Sequence, residues 1–159
     1  MKYPVKTDSL KPDLEFYSEV VKMQKEADRF ISSFTWCVSI VNSSLYYNLG
    51  EKLCVFHYEI DPSKNADTFI WIIVGDLPSM YLDVYGAKTT IEVLEQYVDL
   101  SRDWISSVKS GISVDDCYPF DADPTLEMAD LLKRRANFIE KSIIPNIDEV
   151  KLPSPLYGL

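Results

Sequence analysis

Residues 67–85, DTFIWIIVGDLPSMYLDVY, decide the fold of this chain. They contain its most apolar run, FIWIIV at 69–74, which stops sharply at GDLP, residues 75–78. Side chains in a β-strand alternate between two faces, and both faces of this run are large and apolar. We therefore predict a strand that is covered on both faces or lies centrally in its sheet.

The tetrapeptide GDLP predicts a tight turn directly after this strand. Gly75 allows a backbone conformation that β-branched residues resist, and Pro78 has no N–H to donate to a strand ladder. Asp76 can bond nearby backbone amides. We interpret Asp76 as a structural turn residue in preference to a catalytic one.

Strands are predicted before this turn, and helices are predicted after it and near the N-terminus. The β-rich segments 35–47 and 53–60 flank turn chemistry at 48–51, and residues 80–84 favour a short fourth strand, with a turn of helix as the alternative. Helical patterns cover residues 13–34, 89–110 and 123–144. Together these patterns predict an α+β fold, in which a small antiparallel β-sheet of three to four strands packs against about three α-helices.

Several residue types mark the predicted helix ends. Thr89 and Glu92 have the spacing of a capping box. Asp123 followed by Pro124 is typical of a helix start, and Pro145 stops the last helix. The residues of that helix predicted to face inward are Leu126, Ala129, Leu132, Ala136, Ile139 and Ile143.

The length of the chain predicts one domain. A chain of 159 residues can bury a real core, so we expect a single domain over 1–159. An irregular lead-in is predicted at 1–12 and an irregular arm at 146–159, where prolines recur. We expect the arm to dock through Leu156 and Tyr157.

The net charge of −9 and the sequence pI of about 4.6 limit the classes of partner. Nucleic acid and anionic membrane surfaces require a basic face, so we expect neither as a partner. A basic protein partner fits better, because opposite charge steers association. The alternative is that the acidity serves solubility alone. A short basic run at 133–135 is predicted to lie on a solvated helix face.

Cysteine usage and the absence of common motifs argue against disulfide, metal, nucleotide and common hydrolase sites. Cys37, Cys54 and Cys117 are odd in number and widely spaced, which predicts neither a disulfide framework nor a zinc site. The sequence has no G-x-G-x-x-G, P-loop, nucleophile elbow or H-E-x-x-H motif. We therefore expect no cofactor and no metal. No charged-then-apolar leader opens the chain, so we expect a cytoplasmic protein.

His57 is the sole histidine, so any histidine-based mechanism must use it. Cys54 is three residues away and falls on the opposite face of the strand, whereas Cys37 across the hairpin remains a candidate partner. A lone histidine in a strand is typically a packing residue. One alternative for function is nevertheless an enzyme with carboxylates or His57 in a cleft beside Gly75 and Asp76.

The loop at 114–123 carries four aspartates beside aromatic residues. Its spacing lacks the regular oxygen ligands and the glycine of a calcium-binding EF-hand. It is suited to contact a basic partner, and the alternative is a solvated loop whose last aspartate caps a helix. The candidate partner-binding residues are Asp115, Asp116, Tyr118, Asp121 and Asp123.

The spacing Trp71-x-Ile73-x-Gly-Asp-Leu-Pro, followed by Tyr81, resembles a motif in small, largely uncharacterised bacterial proteins. Some proteins of that kind resemble immunity proteins that neutralise toxins. The likeness is firm over about ten residues and looser down to Trp104. It implies a module that binds a protein partner, with a basic toxin domain as one candidate.

Three hypotheses about function follow from these observations. The first is a binding protein that occludes a basic toxin surface with acidic and aromatic groups. The second is the enzyme beside the turn at 75–76. The third is a homodimer formed through an edge strand at 35–47. The oligomeric state is left open by the sequence.

Overall fold

One antiparallel sheet runs through the middle of the protein. The computed structural model describes residues 3–63 and 66–153, and within this part of the chain five strands lie in the sheet in their order along the sequence. The strands are β1 (Val5–Lys6), β2 (Cys37–Asn48), β3 (Leu53–Pro62), β4 (Phe69–Gly75) and β5 (Met80–Asp83). β3 is therefore the middle strand, and β4 lies between β3 and β5.

Helices cover both faces of this sheet. One face packs against α1 (Tyr17–Ser32), and the other packs against α2 (Thr90–Lys109) and α3 (Leu126–Phe138). α3 continues into a π-helical turn, Ile139–Ile143, and a 3₁₀ turn, Ile144–Asn146. The predicted α+β architecture is confirmed, although the sheet has one strand more than the three to four predicted.

The additional strand, β1, lies in the segment predicted to be an irregular lead-in. Val5 pairs with Leu45, and Lys6 pairs with Ser44. The rest of the lead-in that the structure describes contains a 3₁₀ turn, Thr7–Ser9. A strand of two residues has no periodicity that a sequence pattern can show, so this pairing was missed.

β4 is buried on both faces, as its sequence predicts. Trp71 and Ile73 face α2 and α3, whereas Ile70 and Ile72 face α1. All four side chains are buried. The indole nitrogen of Trp71 donates a hydrogen bond to the carbonyl oxygen of Ala87 at 2.7 Å, so its polar atom is satisfied inside the core.

α2 begins where the capping pattern places it. The side-chain oxygen of Thr89 accepts a hydrogen bond from the backbone N–H of Glu92 at 3.1 Å, and this confirms the predicted cap. From the middle of α2, Tyr97 donates its hydroxyl proton to the carbonyl oxygen of Pro78 at 2.7 Å. The helix is thereby joined to the turn that follows β4.

Two helix starts differ from the prediction. α1 begins at Tyr17 and not at residue 13, and Phe16 before it has a left-handed backbone conformation with φ of 59°. α3 is capped by Thr125, whose hydroxyl accepts a backbone N–H at 3.1 Å, and not by Asp123. Leu126 thus becomes the first residue of α3 and is 63% exposed, so its predicted inward orientation is wrong. The other five predicted inward residues of this helix are buried.

The first part of the predicted C-terminal arm is ordered against the start of α2. Thr90 donates its backbone N–H to the carbonyl oxygen of Val150 at 3.0 Å. Leu152 donates its backbone N–H to the carbonyl oxygen of Lys88 at 2.9 Å. The side chain of Leu152 is buried in the core shared with α2 and α3. Leu156 and Tyr157, through which we expected docking, lie outside the described residues.

Gly75 lies where the end of β4 passes very close to the start of β3. Its φ is +150°, a conformation that residues with a side chain rarely adopt. A Cβ atom at this position would lie 2.3 Å from the carbonyl oxygen of Lys52 and 2.9 Å from the Cα of Leu53. Both neighbours are backbone atoms, so relief requires the two strands to separate.

Replacing Gly75 with alanine tests this close approach. We expect Gly75→Ala to lower the free energy of unfolding by about 3 kcal/mol or more, because backbone strain and a steric clash add. Gly111→Ala is the matched control, since Gly111 has φ of +69° but no atom within 4 Å of the added carbon. That control should cost about 1 kcal/mol. Urea denaturation measures both, and equal losses would contradict the clash.

Candidate functional site

Four aromatic side chains meet next to strand β5, where Phe34, Trp36 and Tyr81 pack against the core on the α1 side and Tyr118 against the core on the other side. They form the aromatic cluster of this protein, which consists of Phe34, Trp36, Tyr81 and Tyr118. Each of these rings is half-buried, so each retains contact with solvent. One strand and two connecting segments supply them, because Phe34 and Trp36 lie between α1 and β2, Tyr81 on β5, and Tyr118 in the loop after α2.

Tyr81 occupies the centre of the aromatic cluster. Its ring centroid lies 5.1 Å from that of Phe34, 5.1 Å from that of Trp36 and 5.7 Å from that of Tyr118. Phe34 and Trp36 stack on each other at 5.0 Å. The alternation of β5 explains this placement, since Met80 and Leu82 are buried towards α2 and Tyr81 points to the other face.

Carboxylates lie within electrostatic range of the aromatic cluster. Burial, and then the charge of Asp67, raise the pKa of Tyr81. Burial raises the pKa of Tyr118 more strongly, with further contributions from Tyr81, Asp83 and Asp67. Both phenols are therefore neutral at physiological pH, and the cluster combines apolar rings with hydroxyl groups under a negative potential.

The predicted acidic loop lies beside this cluster. Asp115, Asp116, Asp121 and Asp123 are exposed, and Tyr118 is half-buried within the aromatic cluster. A carboxylate oxygen of Asp121 lies 3.3 Å from a guanidinium nitrogen of Arg29, so its charge is partly compensated. The acidic surface of this protein is defined here as these four exposed carboxylates of one loop, and Tyr118 of the same loop contributes its ring to the aromatic cluster.

Sequence reasoning missed most of the aromatic cluster. Tyr118 was selected because aspartates surround it, and Tyr81 was noted as part of a motif. Trp36 and Phe34 were assigned to a strand and to a helix face, where apolar residues are expected to be buried. The signal that could have found them is the dense run of aromatic residues at the junction of α1 and β2, at the end of a predicted element.

His57 lies in the core and not in a cleft. It is 6% exposed and is enclosed by the rings of Tyr46, Phe69 and Trp71, with centroids at 5.9, 5.8 and 5.5 Å. Its Nε2 atom makes no hydrogen bond with the described residues. Desolvation lowers the pKa of His57 to about 4, so the imidazole is neutral at physiological pH.

Neither cysteine considered as a partner of His57 is placed to pair with it. Cys37 and Cys54 both lie in the core on the α1 side of the sheet, whereas His57 packs against rings on the other side. Burial also raises the pKa of the Cys54 thiol to about 12. The described residues therefore contain no thiolate–imidazole pair.

Asp76 and His57 are likewise not brought together. His57 pairs with Trp71 of β4, and Asp76 follows five residues later, which corresponds to roughly 17 Å along an extended strand. Asp76 instead contacts Arg135 of α3, whose Nη2 atom lies 2.6 Å from its carboxylate. Catalysis that combines His57 with Asp76 is not supported by this geometry.

The described part of the chain offers neither a cluster of metal ligands nor a membrane-spanning helix. Residues 3–63 and 66–153 contain no group of three or more His, Cys, Asp or Glu side chains that could hold a metal ion. Among the same residues, no helix combines the length and the apolar character required to cross a bilayer.

Comparison with known proteins adds no assignment. No family model, curated protein or solved structure matches the chain. The resemblance of the segment from Trp71 to Tyr81 to a motif in small bacterial proteins, some of which resemble immunity proteins, therefore stays a prediction.

The buried histidine predicts a specific dependence of stability on pH. The unfolded chain binds a proton at His57 near pH 6.5, whereas the folded chain resists protonation until about pH 4. Stability contributed by neutral His57 is therefore fully present above pH 6.5 and is lost as the pH falls towards 4, by about 3 kcal/mol.

Replacing His57 with phenylalanine should remove this loss, because the ring contacts remain and the proton-binding group is gone. Carboxylates titrate in both proteins, so the quantity to compare is the difference between their free energies of unfolding, measured by urea denaturation at several pH values. We expect that difference to change in favour of His57→Phe between pH 6.5 and 4. A difference that is constant over this range would contradict the burial of a neutral imidazole.

Proposed function

We propose that this protein is a protein-binding module that recognises a basic partner through the aromatic cluster and the acidic surface beside it. The observation that carries the proposal is the half-buried group of four aromatic rings, which keeps contact with solvent although it lies next to a large core. Partly exposed aromatic rings grouped in this way are typical of binding surfaces.

The two parts of this surface supply different contributions to binding. Aromatic side chains such as Trp36 and Tyr118 bury a large area with few rotatable bonds, so they suit the centre of an interface. The exposed carboxylates of the loop suit the rim, where charge mainly increases the rate of association with an oppositely charged partner. The net charge of −9 adds a long-range attraction for a basic protein.

The finer proposal is that the partner is a toxin in the bacterial cytoplasm and that binding occludes its basic surface. The support for it is the resemblance at residues 71–81. Within that segment, some residues serve the fold and one lies at the proposed binding surface. Trp71 is buried and Gly75 forms the close turn, so these two residues serve the fold. Tyr81 is the member of the segment that lies in the aromatic cluster.

The experiment that tests the proposal begins with site-specific crosslinking in the native cells. A photoreactive phenylalanine analogue is placed at Tyr118, and the same analogue at the exposed Glu149 serves as the control. We expect one protein with a basic surface to be captured at Tyr118 and not at Glu149. Capture of the same set of proteins at both positions would contradict a specific surface at the aromatic cluster.

Association kinetics with the captured protein then test the acidic loop. We expect replacement of Asp115, Asp116, Asp121 and Asp123 by asparagine to slow association about tenfold at low salt and to flatten its dependence on ionic strength. The reason is that all four carboxylates belong to one loop and are exposed, so their charge acts on an approaching partner.

A variant with an equal charge change at other positions is the matched control. Its four replacements remove exposed carboxylates away from the loop and are Asp13→Asn, Glu15→Gln, Asp148→Asn and Glu149→Gln. Both variants change the net charge from −9 to −5. If the two variants associate at the same rate, general charge and not the acidic loop governs binding.

A further inference from the structure

A cavity opens at the end of the sheet where β3 begins and β4 ends. Its volume is about 320 Å³, which is at the lower limit for pockets that bind small molecules. Its apolar wall consists of side chains from β3, the turn after β4, and α3, namely Leu53, Leu77, Phe138 and Ile139. The cavity shares no residue with the aromatic cluster.

The wall from α3 is shaped by a change of helix type. The α-helical hydrogen-bonding pattern ends at Phe138, and a π-helical turn, Ile139–Ile143, follows it. Such turns are frequent at functional sites because they redirect side chains within a helix. Phe138 is 39% exposed here, so a large aromatic ring lies open to solvent at the cavity.

Two cations and one carboxylate form the polar side of the cavity. Arg135 donates its Nε hydrogen to the backbone carbonyl oxygen of Asp76 at 2.6 Å and an Nη2 hydrogen to its carboxylate at 2.6 Å. These two bonds fix the plane of the guanidinium. They leave its Nη1 group without a hydrogen bond to any described residue.

Lys52 supplies the second cation. It precedes β3 directly and lines the same cavity, and its side chain is exposed. Its ammonium group forms no ion pair or hydrogen bond with the residues that the structure describes. The lining therefore has a net charge of +1, in a protein whose net charge is −9. Local charge and apolar surface together favour a ligand with one anionic end and an apolar body.

We propose that this cavity binds a small amphipathic carboxylate, with its carboxylate between Lys52 and the free Nη1 group of Arg135 and its apolar body against Phe138 and Leu77. Asp76 has a positioning role in this site, because it holds the guanidinium at the edge of the cavity. This role explains why an aspartate follows Gly75 in a turn whose geometry demands only the glycine. The site is independent of the proposed partner-binding surface.

The test uses octanoate as the probe, with octanamide as a neutral ligand of the same shape. Each is titrated into the ¹⁵N-labelled protein at neutral pH and followed by two-dimensional NMR. Octanoate should produce saturable shifts at the backbone amides of 52–53, 76–77 and 138–139, and should bind about tenfold more tightly than octanamide. Shifts confined to other residues, or shifts that do not saturate, would overturn the proposal.

Matched variants separate the contribution of the charged side of the cavity from that of its apolar wall. Lys52→Gln should weaken octanoate binding several-fold, towards the level of octanamide, while Lys11→Gln, which removes an exposed lysine outside the cavity, should leave it unchanged. Phe138→Ala should weaken both ligands, because it removes part of the apolar wall that they share. The spectrum of each variant away from the cavity reports whether the fold is retained.

Two results of this series would overturn the carboxylate assignment. One is equal affinity of the wild-type protein for octanoate and octanamide, which would mean that charge contributes nothing. The other is equal weakening of octanoate binding by Lys52→Gln and Lys11→Gln, which would mean that general charge and not the position of Lys52 matters.

Discussion

Burial of β3 and β4 on both of their faces is the constraint on which the rest of this structure depends. Residues that alternate along these strands belong to two separate cores, one shared with α1 and the other with α2 and α3. Each fully buried large side chain contributes about 1.5–3 kcal/mol relative to leaving it in water. Because neither core is complete without the strands, the helices on both faces are stabilised by the same two elements.

The turn after β4 links these buried strands to the two surfaces that we propose bind other molecules. Both helices on one face of the sheet contact this turn. The carboxylate of Asp76 accepts a hydrogen bond from Arg135 of α3, and the carbonyl oxygen of Pro78 accepts one from Tyr97 of α2. β5 starts directly after this turn and carries Tyr81 into the aromatic cluster. Because Gly75 lies against the backbone of Lys52, the turn after β4 and the start of β3 lie side by side and both line the cavity.

The parts of the fold that the sequence predicts are those encoded by local periodicity. The two apolar faces of β4 and the cap at Thr89 each lie within a short window, and both are confirmed. The start of α3 was misplaced because two positions only two residues apart, Asp123 and Thr125, both have side chains able to cap a helix. Only the backbone conformation decides between them.

The candidate sites were harder to predict because they are assembled from distant parts of the chain. Trp36 and Tyr118 contact the same tyrosine although 82 residues separate them. Arg135 belongs to a basic run that was interpreted as a solvated helix face, yet it contacts Asp76, which is 59 residues away. No local pattern specifies such contacts, since they depend on the packing of whole elements against the sheet.

Native-state hydrogen exchange tests the central role of β3 and β4 most directly. If both helical layers depend on these strands, their amide protons can exchange only when the whole protein unfolds. We predict that the amides of Phe56 and Ile72 exchange with an opening free energy equal to the global free energy of unfolding, and that no amide of α1, α2 or α3 exchanges with a larger one. Exchange of these strand amides through a local opening, while α2 stays protected, would contradict the account.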